Sequence, residues 1–135
     1  MGVPVNELRG ITAEAADSLA ALGIKTSDQL LEASATPAQR KELAGRIGLE
    51  TRALLELANR ADLSRVKGVG GVYSDLLELA GVDTVKELAT RRPDNLHSKI
   101  AATNQERGLT GKTPTLQMVE DWVAQAKELP KSLSY

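Results

Sequence analysis

The chain has 135 residues, with 17 basic and 18 acidic side chains and a formal net charge of −1. It has no cysteine and a single histidine, His97, which excludes disulfides, thiolate metal sites, a cysteine nucleophile and a zinc site built from several histidines. Its aromatic residues are Tyr73, Trp122 and Tyr135, so the core has to come from Leu, Val, Ile and Ala, which suits packed helices better than sheets.

In chain order, Arg9-Gly10-Ile11-Thr12 reads as a tight turn, because glycine supplies the positive φ of a sharp reversal. A helix follows with Ala16, Leu19 and Ala20 on one face. Gly23 stands where a C′ glycine ends a helix, and Ile24 follows as a buried plug. Thr26 with Gln29 three residues on forms a capping box that opens a helix carrying Leu30 and Leu31. Thr36-Pro37, with Gln39 at N3, opens the next, which runs through Leu43 and Ile47 to a stop near Gly48. Leu49–Ala61 is helical again, with Leu54, Leu55, Leu57 and Ala58.

The second half restarts at Lys67-Gly68-Val69-Gly70, a second glycine turn. A helix with Tyr73, Leu76, Leu77 and Ala80 on one face ends at Gly81, and Val82 repeats the plug. Thr84 and Glu87 form a second predicted capping box, opening a helix with Val85 and Leu88. Arg91-Arg92-Pro93 starts a segment with Leu96 and Ile100 inward. Residues 104–113 read as loop, and Thr113-Pro114 as the start of a last helix. Its stripe is Leu116, Val119, Trp122, Val123, Ala126 and Leu129, and Pro130 ends it before a short tail, KSLSY.

These elements repeat. Residues 8–31 and 66–89 align 58 positions apart, pairing Gly10 with Gly68, Asp17 with Asp75, Leu19 with Leu77, Gly23 with Gly81, Thr26 with Thr84 and Leu30 with Leu88. No segment alternates like a strand, so the fold class is all-α: a compact bundle of many short helices made of two repeats. The expected halves are 1–62 and 63–135, packed together as one domain, because neither half alone reaches a comfortable core size.

Glycine turn, helix, glycine stop and Thr-capped helix resemble the helix-hairpin-helix motif, carried by Gly68-Val69-Gly70, Leu77, Gly81-Val82 and Thr84. In the first copy Thr12 replaces the second hairpin glycine. Over nearly its full length the chain is also similar to an uncharacterised bacterial domain family of tandem helix-hairpin-helix-like proteins, through ADLSRVKGVG, VDTVKELA and a Trp-containing last helix ending in Leu-Pro. The resemblance implies a SAM-like or helix-hairpin-helix bundle. In DNA-binding members the hairpin amides and the following helix start hold a backbone phosphate without reading sequence, and hairpin carbonyls in some members hold a monovalent cation. By position Lys67, Gly68, Val69, Gly70 and Arg65 would form that cradle, with Arg9, Gly10 and Ile11 as its weaker copy.

Charge dilutes this expectation. Residues 1–63 hold 7 basic and 9 acidic residues and residues 64–135 hold 10 and 9, so neither half is a basic one. The helices after both turns carry no base near their starts, and Glu14 and Asp75 are placed to compete with a phosphate for the amides. No arrangement of nucleophile, base and oxyanion donor is visible around His97, and the adjacent Glu120 and Asp121 point apart on their helix. The expectation is a non-enzymatic protein with no cofactor and no metal. It is first a protein-interaction or structural adaptor, with Trp122, Arg91 and Arg92 as contact candidates. The alternative is nonspecific nucleic-acid binding through Gly68-Val69-Gly70. No run approaches the ~18 apolar residues of a membrane span, and MGVPVNELRG lacks a basic start followed by an apolar run, so a cytoplasmic location is expected.

Overall fold

The computed structural model describes residues 3–8 and 10–134. It is all-helical: among the described residues the single β feature is an isolated antiparallel bridge between Pro4 and Thr26. The chain divides into two compact units. The first runs to Arg65 and takes in the C-terminal segment from Lys131; the second is Val66–Pro130.

The first unit opens with a 3₁₀ turn, Val5–Glu7, followed by α1 (Ala13–Ala21), α2 (Ser27–Ala33), α3 (Pro37–Ile47) and α4 (Thr51–Leu63). Local chemistry sets the starts. Thr12, Thr26 and Thr36 each accept a bond from the N3 amide, and at Thr26 and Thr36 the N3 glutamine returns it, completing both boxes. Gly48 ends α3 in left-handed backbone, φ 71°. Packing then selects the faces. Helices α2 and α3 pack on α4, and α1 packs on α3; the buried cluster includes Leu19, Leu30, Leu43, Leu54, Leu57 and Ala58. Each such leucine contributes about 1.5–3 kcal/mol relative to exposure. In α1 the buried residues are Ala15, Ala16 and Leu19; Ala20, expected inward, is exposed. Helix α4 begins at Thr51 and extends to Leu63, two residues beyond the expected end.

Two features of this unit have no counterpart in the local sequence rules. The N-terminal segment docks through Val5 N–H to Lys25 O (2.9 Å) and Ser27 N–H to Val3 O (2.7 Å), burying Val5 and Leu8. The C-terminal tail is also part of the core: Leu133 is 4 % exposed, and Ser134 N–H donates to Ala35 O at 2.8 Å. The buried Arg40 holds this corner, donating to the carbonyls of Ser34 (2.9 Å), Ala35 (3.3 Å) and Ser134 (2.6 Å). A buried guanidinium needs such acceptors, since an unmatched charge there is costly.

The second unit comprises α5 (Gly71–Leu79), α6 (Val85–Ala89), α7 (Pro93–Arg107) and α8 (Leu116–Glu128). Helix α8 packs on α6 and α7, and α5 packs on α7. Leu76, Leu77, Val82, Leu88, Ile100, Val119 and Trp122 are all at most 2 % exposed. Thr84 caps α6 by accepting from Glu87 N–H at 3.2 Å. The return half of the expected box is missing, because the Glu87 carboxylate turns to Arg91 at 3.6 Å.

Helix α7 runs on through residues 104–107, which were expected to be loop, and stops at Gly108, φ 63°. Asn104 holds the loop that follows, giving bonds to Thr110 O and Thr113 Oγ1 and accepting from Thr110 N–H, each at 3.0 Å. Thr113 is not the cap of α8 as expected; Thr115 is, accepting from Met118 N–H at 3.1 Å. Leu116, expected in the apolar stripe, is 41 % exposed.

Within each unit the glycine turns have the same internal geometry. Gly10 and Gly68 have φ of 87° and 95°, and Gly23 and Gly81 have 83° and 95°. Ile11 N–H reaches Leu8 O at 3.3 Å, and Val69 N–H reaches Val66 O at 3.2 Å. Ile24 N–H reaches Leu19 O at 2.9 Å, and Val82 N–H reaches Leu77 O at 2.8 Å.

Candidate functional site

The turn before α5 is held from one side by α8. Gln125 accepts from Lys67 N–H at 2.8 Å and donates to Lys67 O at 3.1 Å. Asp121, one helical turn earlier, steadies the amide by accepting from Gln125 Nε2 at 2.8 Å. The backbone of Lys67 is thus fixed at both polar atoms while the residue stays exposed. Val69 is buried at 7 % exposure, and its amide is used within the turn. At Gly68 a Cβ would stand 3.0 Å from Trp122 Nε1, so the indole edge lies against the turn. Trp122 is 2 % exposed and packs on Tyr73 with ring centroids 5.4 Å apart.

Helix α5 starts immediately after this turn. Its N-cap is Gly70, in extended backbone and with no side chain to offer. The amides of Gly70, Gly71, Val72 and Tyr73 therefore have neither an intrahelical acceptor nor a side-chain cap. The first turn contains no acid; Asp75, expected to compete for the amides, stands on the second turn. The Tyr73 hydroxyl donates to Lys112 O at 3.2 Å, which lays the loop before α8 along the first turn of α5. Lys67, in the turn before α5, and Lys112, whose carbonyl meets Tyr73, are both exposed. Partial positive charge on the amides suits an anion, while Asp121 holds a carboxylate on the Gln125 amide that clamps Lys67.

The first turn differs chemically. Gly10 is exposed with open space where a Cβ would be, and Ile11 is half-buried. Thr12 fills its own helix start by accepting from Ala15 N–H at 3.1 Å, and Glu14 adds a carboxylate to that turn. Arg9 lies outside the described residues. Arg65 belongs to the first unit, where its guanidinium pairs with the buried Asp62 at 2.8 Å.

The remaining candidates do not gather into one patch. Trp122 sits at the N-terminal end of α5. Arg91 sits at the C-terminal end, donating to Gly81 O at 2.9 Å, about 13 Å away along a nine-residue helix. There it donates to the carbonyl just past the C-cap of α5, near the helix end where a cation is favoured. Arg92 pairs with Asp94 at 3.2 Å on the surface. His97 Nε2 lies 3.0 Å from Pro114 O, an acceptor, so that nitrogen carries the hydrogen.

Two contributors to the α5 site were not singled out in the sequence, Gln125 and Lys112. A glutamine on a helix and a lysine in a loop carry no local signature, and their role comes from the packing of α8 and its preceding loop. Among the described residues no helix is long and apolar enough to cross a membrane, and no three metal-type side chains gather.

No match was found among curated proteins or among solved structures. One family does match, over residues 9–129, and it covers most of both units. The chain belongs to that family, described as a domain of unknown function (DUF4332).

Proposed function

We propose that the chain is a non-catalytic binding module built on two helix-hairpin-helix-like repeats, and that its second repeat grips the phosphate backbone of nucleic acid without reading sequence. The repeat reading rests on the paired φ values and hydrogen bonds of the glycine turns, 58 residues apart. The observation that carries the binding reading is the start of α5: an N-cap glycine, no capping side chain and no acid in the first turn. The first repeat carries Thr12 and Glu14 at the same place. A phosphate would receive the amides of Gly70, Gly71 and Val72, with Lys67 and Lys112 adding charge. Near-neutral overall charge keeps the affinity modest, in the range of nonspecific binding, roughly 10⁻⁴ to 10⁻⁶ M at physiological salt.

Fluorescence anisotropy with a labelled oligonucleotide, from roughly 20 to 200 mM salt, tests this. Binding that weakens steeply with salt is expected, and Lys67→Glu should weaken it further and flatten the salt slope by about one unit. Salt-independent binding, or none at the lowest salt, would refute the reading.

A second reading, a protein-interaction adaptor, draws on two exposed leucines, Leu22 at 44 % and Leu79 at 45 %, at the ends of α1 and α5. Large apolar side chains left in water suit protein contacts. Leu79→Lys would abolish such a contact and leave nucleic-acid binding unchanged.

A further inference from the structure

The tail after α8 is seated in the first unit through two residues. Leu133 enters that unit's apolar core. Ser134 is held at both polar atoms of its backbone: its N–H donates to Ala35 O at 2.8 Å, and its carbonyl accepts from Arg40 Nη2 at 2.6 Å. Its hydroxyl adds a bond to Ala35 O at 3.1 Å. The receiving groups are set without the tail. Arg40 Nη1 is fixed by the carbonyls of Ser34 (2.9 Å) and Ala35 (3.3 Å), both in the link between α2 and α3. The guanidinium therefore keeps acceptors when Ser134 leaves, and its other fork stays aimed at the place of a main-chain carbonyl. The stretch leading to the seat is held far less. Between the end of α8 at Glu128 and the seat the chain passes Pro130, and Lys131, Ser132 and Leu133 make no hydrogen bond to another described residue. The boundary between the two compact units falls in this stretch, after Pro130.

We infer that this seat is an interface between copies of the chain: the Leu133-Ser134 tail of one copy fills the Ala35–Arg40 seat of a second. The seat takes an extended segment with a leucine followed by a residue whose backbone both donates and accepts. Main-chain bonds supply the grip and the leucine pocket supplies the selection. Every copy carries that segment after α8, so a second copy is the partner whose fit the structure displays. An element joined through a short hinge passes to another copy with each of its contacts kept, which makes such exchange a low-cost route to a dimer. The inference is independent of the phosphate reading, since it uses no residue of the α5 start.

Two full-length variants separate the tail from the seat. Leu133→Asp spoils the tail and keeps the seat, and Arg40→Gln spoils the seat and keeps the tail. In sedimentation velocity each alone should run as a monomer, and their equimolar mixture should give a one-to-one heterodimer. A mixture that stays monomeric would overturn the inference. So would a Leu133→Asp chain that dimerises by itself, because the contact would then lie elsewhere. Where circular dichroism shows that either variant has lost helix, a labelled peptide of residues 129–135, LPKSLSY, takes the place of Arg40→Gln as tail donor. It should bind Leu133→Asp, or restore its helical signal, at concentrations about tenfold or more below those needed with wild type, whose own tethered tail competes. A peptide that neither binds the variant nor restores its helix would overturn the inference as well.

Discussion

Replacing Gly68 with alanine joins two penalties whose sizes follow from the structure. The first is conformational: φ is 95° at Gly68, and a Cβ in left-handed backbone costs about 1–2 kcal/mol. The second is steric. The new methyl would meet Trp122 Nε1 at 3.0 Å and Cδ1 at 3.9 Å, on a side chain only 2 % exposed. Overpacking of this kind costs about 1–3 kcal/mol. Gly10→Ala is the matched control, with φ of 87° and nothing within 4 Å of the new Cβ, so it carries the conformational penalty alone. Gly68→Ala should thus be the more destabilising by about 1–3 kcal/mol, the overpacking share. Urea unfolding measures both variants by circular dichroism, and Trp122 emission follows the second unit separately. Equal losses in the two variants would refute the contact between the turn and α8 on which the site's geometry depends.

Leu133→Ala tests whether the tail belongs to the first unit's core: with Leu133 4 % exposed, the cavity should cost about 2–5 kcal/mol, and a loss within about 0.5 kcal/mol, as for a surface change, would contradict its burial. Asp94 supplies a pH prediction. The backbone hydrogen bond from Asn95 N–H, with Arg92 adding to it, holds the Asp94 carboxyl below its ordinary 3.8. A pKa depressed by folding stabilises the ionised native state, so the contribution is present above pH 3.8 and is lost as pH falls through the lowered value. The stability difference between wild type and Asp94→Asn should accordingly shrink on acidification through that range, and a difference independent of pH would contradict the assignment.

Much of the helical framework was legible in the chain because it is set within a few residues. A threonine that accepts from the amide three positions on declares its helix start locally, as Thr26 and Thr36 do, and a glycine with positive φ declares a stop, as Gly23, Gly48 and Gly81 do. The same locality explains the errors. Thr113 has the residue type of a cap, but its hydroxyl meets Asn104 across the loop, and the helix start is capped by Thr115. Glu87 has the type of a box partner, but Arg91 on the next turn took its carboxylate.

The sequence by itself determined the all-helical class, the paired glycine turns and the absence of a side chain at the cap of α5, because these depend on backbone freedom and on bonds spanning three or four residues. Tertiary structure alone decided that Gln125 clamps Lys67 and that the Trp122 indole edge lies against Gly68. It also decided that Lys112 stands beside Tyr73 and that Leu133 closes the first core. Each of these joins residues tens of positions apart. Such pairings are selected by which surfaces exclude water together, and neither partner bears a local mark of the other.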